Sequence, residues 1–370
     1  MKKIFLLFNF FCGTLNFIHA QNVYIPDGNF KTYLLSKVTI NTNGDNEIQV
    51  SEAEAFSGTI DCNWRNITSL IGIEKFINVT KLYCYGNQLN NLDIDKNIAL
   101  IYLDCHNNEL INLNLTKNVA LSYLDFSENN MTSLDVSRNI SLEYLDCSEN
   151  NLASLDVTRN IALKSLRCVD AKIKSLDVSY NVALVTLNLS FNELTSLDVS
   201  MNNNLQALYC TQNQLTKLDI SKNEVLNSLY CGSNQLIFLN LKNGNNSTFQ
   251  YMSASPNSNL TCIQVDNAVN ANSYSGWEKP YEASYSENCL LSVKDLSKSE
   301  IVLYPNPVKE VLHFSEEVSV TKITDISGRI LKTVAGSIKS LNLSNLGKGT
   351  YIVTAITKSG KNVSEKFIKE

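Results

Sequence analysis

Cys84, Cys105, Cys147, Cys168, Cys210 and Cys231 recur at multiples of 21 residues, and Cys62 stands one unit ahead of them. Cysteines at a fixed spacing can carry redox chemistry, ligate a metal or fill a core. The positions that the cysteines skip decide between these. Phe126 and Leu189 stand at the same offset, and neither can bind a metal or form a disulfide. The position therefore requires apolar volume, and cysteine serves there as a small hydrophobe. In-register neighbours on a parallel sheet would hold their Cβ atoms at ~4.8 Å, longer than the ~3.8 Å that a relaxed disulfide prefers. Zinc needs ligands that converge on one point, whereas this column runs in a line.

Two further sets of polar residues invite a chemical reading. One offset carries Tyr102, Tyr123 and Tyr144, and two residues on come Asp104, Asp125 and Asp146, followed in later units by Tyr209 and Tyr230. Three carboxylates stacked ~5 Å apart repel by roughly 1 kcal/mol per neighbouring pair in water, and folding gains nothing evident from that. Near the N-terminus, NTNGDNEIQVSE resembles a calcium-binding EF-hand or dockerin-type loop. Asn41, Asn43, Asp45, Glu47 and Gln49 would supply positions 1, 3, 5, 7 and 9, and Glu52 the bidentate position 12. Asn41 replaces the usual Asp and Asn46 the usual Gly, so the alternative is a polar loop that caps the adjoining structure.

These residues must be positioned by something regular. From Val79 the sequence repeats eight times, starting at Val79, Leu100, Leu121, Leu142, Leu163, Leu184, Leu205 and Leu226. The fourth residue of each copy and the fourteenth are always leucine. A fixed period with apolar residues at fixed offsets predicts a solenoid, in which stacking supplies the core that one coil cannot form alone. The phrase LxxLxCxxNxL resembles the leucine-rich repeat, and ITSLIGIEKFINVTKL before it resembles an internalin-type coil. The resemblance implies a parallel sheet on the concave face, about nine strands long, with inward leucines and outward intervening residues. The ninth residue is Asn in all copies except one, which has Ala171. Its amide is expected to satisfy backbone groups where the chain leaves the strand, and the coil from Leu163 to be locally looser. The fifteenth, Asp or Asn, is expected to close an Asx-type turn. The asparagine run from Asn97 to Asn223 invites a similar structural reading.

The 370 residues carry 36 acidic and 31 basic side chains and are 44% hydrophobic. No basic block is present, which argues against a nucleic-acid partner. The opening MKKIFLLFNFFCGTLNFIHA has the layout of a secretory signal cleaved after Ala20. In an exported chain the off-period pair Cys262 and Cys289 points to a disulfide that closes the end of the array. The expected organisation is a signal at 1–20, an N-terminal cap at 21–56, repeats at 57–246, a C-terminal cap at 247–290, a linker at 291–300 and a terminal domain at 301–370.

From Ile301 the texture changes to short alternating strands, which predict a small β-sandwich. The phrases LYPNPVKEVLHF, ITDISGRIL, LGKGTYIV and the terminal KFIKE resemble the C-terminal sorting domain of the bacterial type IX secretion system, of type A. That resemblance implies contact with the secretion machinery and a protein that is secreted or attached to the outer-membrane surface.

Neither a GxSxG, an HExxH nor a glycine-rich phosphate loop appears, so no enzyme is expected. No cofactor is expected, with calcium the one candidate ion. The function expected is binding or adhesion to a protein or glycan on a cell or extracellular surface, through Tyr102, Tyr123, Tyr144, Asp104, Asp125, Asp146, Tyr209 and Tyr230. Copied coils with a solvated face and no ligand, in a structural surface coat, are the alternative.

Overall fold

The computed structural model describes residues 21–289, 302–325, 329–357 and 362–370. The signal expected at 1–20 and the linker expected at 291–300 lie outside the described residues. The chain divides into two units, Met1–Cys289 and Leu290–Glu370.

The first unit is a stack of coils around a leucine column. Strands of three residues recur at Thr59–Asp61, Lys81–Tyr83, Tyr102–Asp104, Tyr123–Asp125, Tyr144–Asp146, Ser165–Arg167, Thr186–Asn188, Ala207–Tyr209, Ser228–Tyr230 and Tyr251–Ser253, with Trp277–Glu278 last. They form one 11-stranded parallel sheet in sequence register, Leu103 pairing with Leu124 and Leu124 with Leu145. The period explains the register: each strand offers one inward leucine, and a slip by one residue would turn it to solvent. Leu82, Leu103, Leu124, Leu145, Leu166, Leu187, Leu208 and Leu229 are all fully buried.

The sheet is two strands longer than the repeat predicts. Tyr251–Ser253 and Trp277–Glu278 belong to the stretch whose texture differs. Their coils are longer than 21 residues, so the period fails there although the strand pairing continues. A second parallel sheet also forms on another side of the last coils, from Lys217–Asp219, Phe238–Asn240, Cys262–Gln264 and Ser284–Ser286. Cys262 and Cys289 are disulfide-bonded, with an S–S distance of 1.96 Å and Cα atoms 5.8 Å apart.

Seven turns off the main sheet pass through a left-handed residue with a side chain: Asn107, Glu128, Glu149, Asp170, Phe191, Gln212 and Ser233 have φ between 50° and 61°. Such a conformation costs about 1–2 kcal/mol for a residue with a Cβ. The asparagine that comes next offsets this by satisfying the bent backbone. Asn108 donates through Nδ2 to the carbonyls of Cys84, Cys105 and His106 at 3.1–3.2 Å, and its Oδ1 accepts from the Leu89 N–H at 3.0 Å. Asn129 and Asn150 repeat the arrangement. Where Ala171 stands instead, the Leu152 N–H donates to the Ala171 carbonyl at 3.0 Å. Ala153 and Lys172 become left-handed as well, so the backbone rearranges around the missing amide.

The fifteenth residues close Asx turns as the spacing predicts: Asp135, Asp156, Asp177, Asp198 and Asp219 each accept from the N–H two residues on, at 2.9 Å. The second asparagine run is buried differently. Asn118 donates to the carbonyls of Ile94 and Asn97 at 3.0 Å, while its Oδ1, like those of Asn97, Asn139, Asn160, Asn181, Asn202 and Asn223, has no protein partner. This column ties each coil to the one before it.

A helix, Gly28–Leu35, covers the first coil with Phe30, Tyr33 and Leu34. Its N-cap Asp27 accepts from the Asn29 and Phe30 N–H groups and, through its second oxygen, from the Thr68 N–H at 2.8 Å, pinning cap to solenoid. Among the described residues no helix is long and apolar enough to cross a membrane.

The second unit, expected from its alternating strands to be a small β-sandwich, is a small β-domain whose strands form one antiparallel sheet. Leu303–Tyr304, Val311–Asp325, Ile330–Asn342, Gly349–Thr357 and Asn362–Lys369 form one sheet. The long strand Val311–Asp325 has register shifts along its length, which bend it. Val308, Phe314, Val353 and Phe367 fill a core of its own.

Candidate binding face

Alternation along a strand places residues on either side of each buried leucine on the outer face of the sheet. In the strands from Lys81 to Asp146 the tyrosines and carboxylates expected there are adjacent, through the pairs Tyr102–Tyr123, Tyr123–Tyr144, Asp104–Asp125 and Asp125–Asp146. The tyrosines stack on one another. Ring centroids of Tyr102 and Tyr123 lie 3.9 Å apart with planes 6° off parallel, and those of Tyr123 and Tyr144 4.3 Å apart at 2°. Tyr83, from the neighbouring offset, joins the row at 4.6 Å and 32°. Face-to-face stacking leaves edges and hydroxyl groups, not ring faces, toward solvent. Burial, the largest cause, pushes Tyr102 and Tyr144 up to about 12, so these hydroxyls stay protonated.

The carboxylates are less exposed than an outward position implies. Asp104 and Asp146 are only 7% and 6% exposed, and the Tyr144 hydroxyl lies 3.3 Å from Asp146 Oδ2. Each is held by its own strand two residues on. Asp125 accepts from the Ser127 hydroxyl at 2.7 Å and Asp146 from the Ser148 hydroxyl at 2.5 Å. At Asp104 the serine is replaced by His106, whose Nδ1 lies 2.6 Å from Oδ1. Asp146 also accepts from Arg167 Nε at 2.7 Å. Asp125 between them has no cation of its own among the described residues. Desolvation, with the charges of Asp146 and Asp104 adding to it and Ser127 opposing, raises its carboxyl to about 6.

A second aromatic row runs beside the carboxylates: Tyr85 stacks on His106 at 4.4 Å and 14°, and Trp64 meets Tyr85 edge-on at 6.2 Å. Tyr83, Tyr85, His106 and Arg167 were not among the residues singled out by the repeat. Tyr85 and His106 share one offset, so the column itself carried the signal. Tyr209 and Tyr230 stack separately at 5.2 Å, beyond Ser165 and Thr186, and do not join the first row.

The cysteine column is buried throughout, and desolvation pushes Cys62 and Cys210 up to about 12 and the thiols of Cys84, Cys105 and Cys231 well above the ordinary range. At one place in-register neighbours come closer than expected: the sulfurs of Cys147 and Cys168 meet, with Cα atoms 4.9 Å apart. That spacing lies inside the range two cysteines can bridge, near its lower end, although it is shorter than the usual one.

In the loop from Asn41 to Glu52 the expected ligand side chains bond one another and the backbone. Glu52 Oε1 accepts from the Thr42 N–H and hydroxyl and the Asn43 N–H, and Oε2 from the Gln49 N–H. Asp45 accepts from the Glu47 N–H and from the Asn43 and Gln49 amides. Asn41 bonds the Gly44 N–H and the Asp45 carbonyl, and Glu47 pairs with Lys31 at 2.7 Å. The side chains close a polar turn and cap the helix Val50–Ala55.

Residues 302–370 match the family described as a secretion system C-terminal sorting domain. Comparison with curated proteins finds no match. Among solved structures, the functional domain of InlJ from Listeria monocytogenes, described as including a cysteine ladder, is 34% identical with a TM-score of 0.58, over 67% of this chain and 58% of that one. The chain thus spans little more than half of that domain. An internalin C2 of the same organism is 16% identical over 65% of this chain and 93% of that one, with a TM-score of 0.45. A leucine-rich repeat protein of Leptospira interrogans is 21% identical over 58% and 75%, also at 0.45. With the 21-residue coils, the parallel sheet and the matched tail, the chain is a leucine-rich repeat protein that ends in a type IX secretion sorting domain and is delivered to the cell surface or the extracellular space.

Proposed function

We propose that the solenoid is a binding or adhesion module that engages a protein or glycan on a cell or extracellular surface through the outer face of its main sheet. The observation that carries this reading is the largely buried carboxylate row at Asp104, Asp125 and Asp146 beside stacked Tyr102, Tyr123 and Tyr144. An acid whose carboxyl is raised to about 6 destabilises the folded chain at neutral pH, and a surface coat has no use for it. Because the ring faces are stacked away, recognition falls to the hydroxyl edges and carboxylate oxygens, which suit partners rich in hydrogen-bond donors, such as glycan hydroxyls or cationic side chains. Tyr209 and Tyr230 form a second, separate contact region on the same sheet.

The test is a glycan and extracellular-protein array probed with the exported chain, followed by the triple variant D104N/D125N/D146N against each hit. Saturable binding that the triple variant loses is the expected result. Binding unchanged in that variant would remove the patch from the reading, and self-association without any saturable partner would favour the coat.

A further inference from the structure

We propose that Asp104, His106 and Asp125 form a binding site for a divalent first-row transition-metal ion of the Zn2+ type on the outer face of the sheet. One ligand atom from each of the three lies within 4.8 Å of the others, and among the described residues no other group of three His, Cys, Asp or Glu side chains does so. Strand geometry brings them together. Asp104 and His106 are two residues apart and share a face, and Asp125 is the in-register partner of Asp104 on the next strand.

His106 is what distinguishes this point from the rest of the carboxylate row. In the next two coils the same offset holds Ser127 and Ser148, which satisfy Asp125 and Asp146 with a hydroxyl and offer no nitrogen ligand. His106 keeps that contact through Nδ1 at 2.6 Å from Asp104, and its ring is oriented by stacking on Tyr85 at 4.4 Å. A metal entering here replaces the Nδ1–carboxylate contact and takes both atoms as ligands, any proton on Nδ1 passing to Nε2 or to solvent, with an Asp125 oxygen as the third. At the other end of the row the chain supplies its own cation, Arg167 on Asp146. Among the described residues the Asp104 end has no Lys or Arg partner.

The donor set fixes the class of ion. One imidazole with two carboxylates suits zinc, manganese or cobalt better than calcium, which takes six to eight oxygens. Donors at roughly 2.0–2.2 Å from the ion stand about 3–3.5 Å apart, which small side-chain rotations from the present spacing reach. Three protein ligands leave a coordination position open. Its natural occupant is water or an oxygen of whatever the face binds, so the site extends the binding reading above, although metal uptake itself is measured without any partner.

The untagged exported chain, stripped with EDTA, is titrated with Zn2+ by calorimetry and with Co2+ by visible absorption. One Zn2+ per chain is expected, together with Co2+ d–d bands that are lost when Zn2+ displaces the Co2+. His106→Ser, which installs the residue the next two coils use, should lower the affinity at least about tenfold and abolish those bands, while His313→Ala leaves both unchanged. Thermal unfolding without metal verifies that His106→Ser is folded, and Asp125→Asn serves as the second variant if it is not. Absence of stoichiometric Zn2+ binding, binding unchanged in both variants, or uptake of Ca2+ in preference to Zn2+ would each overturn the proposal. Loss of partner binding with metal uptake intact would instead count against the binding face alone.

Discussion

The strands Lys81–Asp146 and Ser165–Tyr230 are two halves of one sheet with the same buried leucines and the same stacking register, yet their outer faces share almost nothing. The first half carries four stacked tyrosines, three acids and a histidine. The second opens with Ser165, Thr186, Ala207 and Ser228 on the tyrosine offset, and places Asn188, Tyr209 and Tyr230 on the aspartate offset. The difference teaches that in a solenoid the fold is carried by the inward column, and the outward columns are free to vary coil by coil.

The sharpest way to break that comparison is in the core. Leu145→Ala and Leu187→Ala, one in each half, should both cost about 2–5 kcal/mol in urea unfolding, because both side chains are fully buried. A much smaller loss in one half would show that the two cores are not equivalent. Next in size is the turn ladder. Asn150→Ala removes three donated bonds and one accepted bond, with an expected loss of about 1–3 kcal/mol read in the same assay.

Asp125→Asn tests the outer face and should move stability the other way. The folded carboxyl is raised to about 6 from an ordinary 3.8, so the group favours the folded state only while protonated, and that advantage is lost as pH rises through about 6. With EDTA present the variant should therefore be more stable than the parent by about 1–2 kcal/mol at pH 7.5, and the gain should vanish below pH 4. A gain that is constant with pH would show that the charge is not its cause. The second half already has Asn188 at this offset, and Asn188→Asp should produce a smaller penalty, since no acid flanks it on either neighbouring strand.

Tyr144→Ala should cost about 0.5–1.5 kcal/mol beyond its area, because Tyr144 ends the row and stacks on one neighbour only. Smallest is a local effect at the boundary between the halves. Amide exchange in the coil from Leu163 should be faster than in the coils beside it, since Ala171 supplies no side-chain amide and Ala153 and Lys172 are left-handed in addition. Equal protection across the three coils would show that the carbonyl of Ala171 fully replaces the missing asparagine.

Much of this was legible in the residues. The period located the leucine column, the two asparagine columns and the Asx turns, because each depends on contacts that repeat with the sequence. The exceptions were informative for the same reason: Phe126 and Leu189 identified the cysteine offset as core, and Ala171 marked the irregular coil. The C-terminal pair of strands was not legible, since longer coils destroy the period while backbone pairing across the sheet continues unaffected. The calcium-like spacing at Asn41 to Glu52 left two readings open because spacing gives donors without saying where they point. Glu52 turns to the backbone N–H groups of Thr42, Asn43 and Gln49.

The sequence by itself determined the solenoid, its inward and outward faces, the separate terminal β-domain and the residues placed on the outer face, because all of these follow from composition at fixed offsets. Only the tertiary structure decided how those residues behave once side by side. Tyrosines one coil apart close their faces against each other, two of the three acids are buried, and His106 is set against Asp104 and Asp125. The reason is physical. A repeat fixes which columns adjoin, while stacking, desolvation and ion pairing depend on distances between side chains 21 residues apart, which only the packed sheet sets.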